Sequence, residues 1–426
     1  MEKLEKILFY AFLFLIPFQI RATIAWEGSE WDSIFLYLTD LLLVGFLFLG
    51  VLNKRISFKK NDILLFLFLG LALISIFIST DKGVSVYRLI KFLEFAVLYI
   101  YVCSQFKIQT ILFIIFYSAI FQSILAIVQF YRQASLSLRF IEAGQYLPGA
   151  PGVATFIMGD DKVMRAYGSF PHPNVLAGFL LLAIFAFYAI WLTRPIRPIG
   201  LIGLIGPIFA LFLTFSRGPI LVFIFMSIIF FLVRFFQLRP LYHTEERLLA
   251  GKRLMILALF FVFFSLLSSI ILWSYLKSRF FTISLQEEAV DLRFFYNKMA
   301  LAMIKDKPLL GVGIGNFVNF SRNYPAFIKA ANAMFTGRGG VDIEIPDWIY
   351  QPVHNIYLLI ASEIGILGAI VFLLFIAKTL IRPVGLISPI GFLLVGFLIL
   401  ALSDHYFWTL QSGGLMFWLA LALART

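Results

Sequence analysis

The stretch QPVHNIYLLIASEIG (351–365) sets a proline, a histidine and an asparagine at the mouth of a long apolar run. His354 stands where the run predicts a helix to begin. The positive dipole end there disfavours imidazolium, so a neutral ring is expected at neutral pH. Such a ring can take a proton from a hydroxyl. Its structural alternative is a hydrogen bond to a neighbouring carbonyl. Glu363 lies on the same predicted helix, about 13 Å deeper and on the opposite face, so it is not the orienting carboxylate of a simple dyad. Asn355 follows His354 directly.

Guanidiniums recur at similar places. RAYGSFPHPNVLAGFL (165–180) brings Arg165, His172 and Asn174 to a helix start, with Pro173 suited to the first turn because its missing N–H needs no partner there. His172 and Asn174 either cap that helix or face a ligand. TFSRGPI (214–220) holds Arg217 in a tight turn between two apolar segments. It either snorkels to lipid phosphate or turns inward to grip a ligand phosphate beside a helix N-terminus. Arg293 lies on a predicted loop helix, 287–308, in which Val290, Phe294 and Leu301 recur at helical spacing and which Pro308 ends. Arg88 and Lys91 sit one turn apart, and pairing of Lys91 with Glu94 gives them a structural reading. Asp404, next to His405, either pairs with an arginine or caps a turn; it is also the next candidate base after His354.

Other signals fail. GVGIG (311–315) has neither a preceding strand nor a following Lys-Ser/Thr, so it is not a phosphate loop. GDD (159–161) and DIE (342–344) offer carboxylates but no further ligand, so no metal or other cofactor is expected. There is no nucleophile elbow and no zinc spacing. The single cysteine, Cys103, reads as a small core residue.

Apolar side chains make up 61% of the 426 residues, charged ones 14%, and the mean hydropathy is +0.95. This composition excludes a soluble protein and predicts an all-α polytopic membrane fold of about twelve transmembrane helices. The expected spans are 5–20, 33–52, 62–79, 87–103, 108–131, 174–193, 199–215, 218–236, 254–275, 354–377, 385–403 and 405–424. The first is read as a retained helix rather than a signal peptide. The net charge of +12 is spread between helices without an aromatic–basic module, which points to membrane lipid or a phosphate-bearing ligand and away from nucleic acid.

The short connections 53–60, 194–198, 237–253 and 378–384 carry the basic residues; with an inside N-terminus all four fall on the cytoplasmic face. Two long segments then face outward, 132–173 and 276–353, the second between helices nine and ten and bearing the short amphipathic helix. The candidate residues gather on that outer side. No internal repeat, paired interrupted helices or linker is found, so 1–426 reads as one integral membrane domain, and transport is the weaker reading.

The chain resembles the O-antigen ligase and polymerase family of bacterial membrane glycosyltransferases. The resemblance rests on RAYGSFPHPNVLAGFL, TFSRGP, DLRFFYNKMALAMIKDKPLLGVGIGNF and HNIYLLIASEIGILG, in that order. It implies a C-type glycosyltransferase fold and a polyprenyl-diphosphate-linked glycan donor. It implies transfer, without metal, to a glycan or lipid A-core acceptor at the periplasmic face of the bacterial inner membrane, with a ligase as the leading reading and a polymerase, then a protein O-oligosaccharyltransferase, as alternatives that share the site and differ in acceptor. It also implies that His354 activates the acceptor hydroxyl and that Arg217, Arg293 and Arg165 bind the diphosphate. Some family members carry a second histidine where this chain has Asn355.

Overall fold

The computed structural model describes residues 1–54, 62–104, 108–138, 141–144, 146–193, 198–238, 245–281, 288–336, 345–381 and 387–425. Arg55, Lys59, Lys60, Arg194, Arg197, Arg239 and Arg382 of the basic connections, and the carboxylates of 342–344, lie outside the described residues. The first part of the bundle is α1 (Glu2–Leu15), α2 (Leu38–Leu52), α3 (Ile63–Ser75), α4 (Lys82–Ser104), α5 (Ile108–Arg132), α6 (Pro173–Thr193), α7 (Ile202–Leu213), α8 (Arg217–Leu238) and α9 (Glu245–Ile271). A long connection holds α10 (Trp273–Phe281), α11 (Glu288–Asp306), α12 (Phe317–Arg322) and α13 (Pro325–Thr336). The chain closes with α14 (Ile356–Leu380), α15 (Pro389–Leu400), α16 (Tyr406–Thr409) and α17 (Gln411–Arg425).

Each expected span overlaps a helix. Among the described residues five helices are long and apolar enough to cross a membrane: Ile108–Arg132, Pro173–Thr193, Arg217–Leu238, Leu248–Ile271 and Ile356–Leu380. Several shorter apolar helices accompany them, including α2, α7 and α15. The protein is a mostly helical, polytopic membrane protein. α6 is the central helix, buried along almost all its length against α5, α7, α8, α15 and α17. α8 shows how a peripheral helix divides its faces. Phe223, Met226 and Phe230 point inward, while Leu221, Phe225, Ile228 and Leu232 form an exposed apolar row at helical spacing.

The structure corrects the all-α expectation. A hairpin of β1 (Arg21–Ala25) and β2 (Ile34–Tyr37) replaces the first residues of the second expected span. A second hairpin, β3 (Thr155–Met158) with β4 (Asp161–Met164), lies in the first long segment. GDD is its turn: Gly159, at φ 63°, and Asp160 link the paired residues Met158 and Asp161. The 276–353 segment is more structured than one amphipathic helix. The expected helix is present as α11. Phe294 and Leu301 are exposed, whereas Phe295, Tyr296, Met299 and Met303 are buried.

The helix α14 breaks at Gly365, whose backbone adopts φ 82° and ψ 170°. An interrupted apolar helix must have its freed backbone groups satisfied inside the protein. The glycine-rich segment after α11 does this. Val312 N–H donates to Ser362 O at 2.8 Å and Gly313 N–H to Glu363 O at 2.9 Å, while Ile366 N–H donates to Pro308 O at 2.8 Å. A Cβ on Gly365 would overlap the Leu309 carbonyl, and one on Gly311 the Ser362 carbonyl. The GVGIG pattern therefore serves close backbone approach. Gly365→Ala is expected to lower unfolding stability by more than about 2 kcal/mol, from strain and overlap together. Gly70→Ala in α3, where nothing crowds the added methyl, should be neutral or slightly stabilising. Thermal unfolding of the two variants in detergent checks this; equal midpoints would contradict the docking role.

Candidate active site

At one end of the bundle the N-termini of α6, α8 and α14 open onto a cavity of about 540 Å³. Arg165, His172, Asn174, Arg217, Arg293, His354 and Asp404, dispersed over more than half the sequence, all line it. Arg279 and His405 join them, and neither was among the residues expected from the sequence to form the site. Arg279 sits on α10 as one more basic residue near a helix end, and nothing in the sequence distinguishes it.

Arg165 is buried and fully engaged. Its Nε donates to Thr214 O at 2.7 Å, and its Nη2 donates to Asn174 Oδ1 at 2.7 Å and Ser216 Oγ at 2.8 Å. Asn174 passes the contact on: its Nδ2 donates to Asp404 Oδ2 at 2.7 Å. The Asn174 side chain is thus a bridge rather than a cap. The cap is His172, whose Nδ1 accepts the Asn174 N–H at 3.1 Å. Burial, then the Arg165 guanidinium, brings His172 down to about 3, so it stays neutral with its proton on Nε2.

Arg217 turns inward. Its Nε and Nη2 both donate to the Arg279 carbonyl, at 2.9 and 2.6 Å, tying α8 to α10. Phe215, just before it, holds φ 46° in the turn, a conformation costly for a bulky residue. Its ring is fully buried and packs on Phe130 and Phe156, which holds the turn and fixes where Ser216 and Arg217 emerge. Arg293 projects from α11; among the described residues its side chain makes no hydrogen bond or ion pair.

His354 sits just ahead of α14. Asn355 is the N-cap of that helix, its side chain accepting Leu358 N–H at 3.1 Å, and Ile356 N–H donates to Ala401 O at 2.8 Å. The His354 ring makes no hydrogen bond among the described residues, and its Nδ1 is buried without a partner. The neighbouring-carbonyl alternative is therefore not what holds the ring. It is held by packing, 4.7 Å from the His405 ring edge-to-face and 5.8 Å from Tyr296. Burial lowers the His354 pKa, Asp404 opposes this, and Arg293 adds to the lowering. For Asp404, burial works against ionisation, while electrostatic coupling to the His405, His354 and His172 rings and the hydrogen bond from Asn174 hold its pKa below the usual carboxylate value. The cavity so pairs a neutral imidazole with an anionic carboxylate and several fixed cations.

Three residues stand apart. Glu363 accepts from Trp408 Nε1 at 3.0 Å, away from His354. Arg88 donates to Thr409 O at 2.7 Å and lines a narrow neighbouring crevice instead of the main cavity. Lys91 is buried between Asp40 and Glu94, an ion-paired cluster linking α2 and α4.

Fold and site together define a polytopic membrane protein with a cationic, histidine-bearing cavity at one end of its bundle. Residues 201–373, less than half of the chain, match the family model described as O-antigen ligase. The matched stretch contains Arg217, Arg279, Arg293 and His354, while Arg165, Asn174 and Asp404 lie outside it. No curated protein matches the chain.

The neutral state of His354 is directly measurable. Its ring ¹⁵N resonances, assigned through His354→Gln in nanodiscs, should be those of a neutral imidazole at neutral pH and should change to those of imidazolium at a more acidic pH than in a free histidine side chain, since burial lowers the pKa. An imidazolium at neutral pH would contradict the arrangement.

Proposed function

We propose that this chain transfers a glycan from a polyprenyl-diphosphate carrier to an acceptor hydroxyl at the outer face of the bacterial inner membrane. The observation that carries the proposal is one cavity shared by an imidazole with no hydrogen-bond partner among the described residues, His354, and by Arg165, Arg217, Arg279 and Arg293. Neutral His354 takes the acceptor hydroxyl proton as the new bond to the anomeric carbon forms. The bond from that carbon to the diphosphate oxygen breaks, and the leaving group gains charge. Fixed guanidiniums stabilise that charge, most strongly where it develops in the transition state. Attack from the face opposite the leaving group inverts the anomeric centre. No step in this scheme is assigned to a metal ion.

The location follows from the twelve-span topology expected from the sequence, in which, with the N-terminus inside, the starts of α6, α8 and α14 and the end of α15, which line the cavity, belong to the outer side. Ser169 Oγ donates to Pro17 O at 3.0 Å, and Arg165 and Asn174 reach Thr214 and Asp404. Joining a finished glycan to a lipid A-core acceptor, as in lipopolysaccharide biosynthesis, is our leading reading, and the O-antigen ligase match supports this type of function broadly. Extension of the glycan on its own carrier would use the same groups.

His354→Ala is expected to reduce turnover by roughly 10²–10⁴-fold, with donor binding retained because arginines hold the diphosphate. His354→Gln, which can hydrogen-bond but not take the proton, should be nearly as inactive. Arg217→Lys should fail to restore the loss seen in Arg217→Ala, since an ammonium cannot reproduce the planar fork. The assay is purified enzyme in nanodiscs with lipid-linked glycan and acceptor, beside a folding check. Wild-type turnover in His354→Gln would make the ring a positioning group, with Asp404 the next candidate base.

A further inference from the structure

The cavity wall carries a row of rings as well as a set of cations. His354 lies 4.7 Å from His405, and His405 lies 5.3 Å from Trp31, ring centre to ring centre. Trp31 and Glu30 reach the cavity from the connection between β1 and β2. That connection is outside the O-antigen ligase match and far from every motif of the sequence analysis.

The connection is built to hold these two side chains in place. Arg21 Nη2 donates to Glu30 Oε1 at 2.5 Å. Asp32 accepts from Ser29 Oγ at 2.7 Å and from Arg322 Nη2 at 3.2 Å, the latter reaching across from α12. Ser33 Oγ donates to Ser29 O at 2.6 Å and accepts from Glu27 N–H. Trp31 is thus fixed between two anchored carboxylates, and Glu30 remains partly exposed at the cavity. The cations have a different setting: Arg165 and Arg217 are joined through the Ser216 turn, and Arg217 grips α10 at Arg279. Anions suit that group. An indole beside a carboxylate suits a neutral polyhydroxylated ring, whose C–H face packs on the aromatic surface while its hydroxyls donate to the carboxylate.

We propose that Trp31 and Glu30 form the platform for the acceptor's sugar ring, placing its hydroxyl next to His354 and setting acceptor specificity. This rests on the transfer reading above and adds the chemical class the acceptor presents, a sugar ring rather than a polypeptide hydroxyl. Trp31 and Glu30 act on where the acceptor sits and leave the diphosphate grip untouched.

The test is steady-state transfer by the purified chain in nanodiscs, with lipid-linked glycan and acceptor glycolipid, both extracted from cells lacking this protein. Trp31→Ala should raise the acceptor KM by roughly ten-fold or more, while kcat and the donor KM change by less than about two-fold. Trp31→Phe, which keeps an aromatic face, should recover most of the loss. Glu30→Gln should raise the acceptor KM without lowering the melting temperature, and it carries the readout if Trp31→Ala does not fold. Unchanged acceptor KM in these variants, or an equal rise in the donor KM, would overturn the platform while leaving the transfer reading intact. A wild-type chain that is folded yet transfers nothing would overturn the transfer reading, and the platform with it.

Discussion

The break in α14 at Gly365 is the constraint on which the arrangement depends. Inside an apolar bundle the freed backbone groups around it must find partners in the protein. They find them in Pro308, Val312 and Gly313, the segment that leaves α11. That junction fixes α11 against α14 and brings Arg293 and His354 to the same cavity. The same segment is held on its other side, where Asn316 Oδ1 accepts Asp81 N–H at 2.7 Å and Ser85 Oγ donates to Ile314 O at 2.7 Å. The long connection between α9 and α14 is therefore locked into the bundle at its centre. Satisfying backbone polarity and positioning the candidate chemistry are one structural act.

A second constraint organises the opposite side of the cavity. Arg165 is buried, and a buried charge persists only where it is hydrogen-bonded and balanced. Thr214, Ser216 and Asn174 supply the bonds, and Asp404 supplies the balance through Asn174. This chain joins the first long segment, the α7–α8 turn, α6 and the α15–α16 connection. It also explains why polar residues cluster at helix ends on one side: each end contributes a group that another end needs.

Several of the polar residues that line the cavity were legible in the sequence. Histidine and arginine at the edge of an apolar run are costly, and His354, Arg217, Arg165, Asn174 and Asp404 could be singled out on that ground. Four features were not legible, each for a physical reason. Arg279 sits in a short helix whose basic residues look ordinary; only the fold turns it toward the cavity. The glycines at 311–315 are explained by partners distant in the chain, Gly311 by the backbone of Ser362 and Glu363, Gly313 by Ser79 and Gly315 by the Arg88 side chain, beyond any local reading. That Phe294 and Leu301 of α11 face outward was not legible because an exposed apolar stripe is indistinguishable by periodicity from a buried one. Trp31 belongs to a hairpin that hydropathy absorbed into a helix.

The central claim is that His354 and the arginines act together on one glycosidic bond. It is tested most directly by the stereochemistry of transfer. The purified wild-type chain, given a lipid-linked glycan of known anomeric configuration and an acceptor, should yield a product whose new linkage is inverted when read by NMR. That is the outcome of a single displacement assisted by one base. A retained configuration would require a covalent intermediate or a second displacement, and would contradict the account.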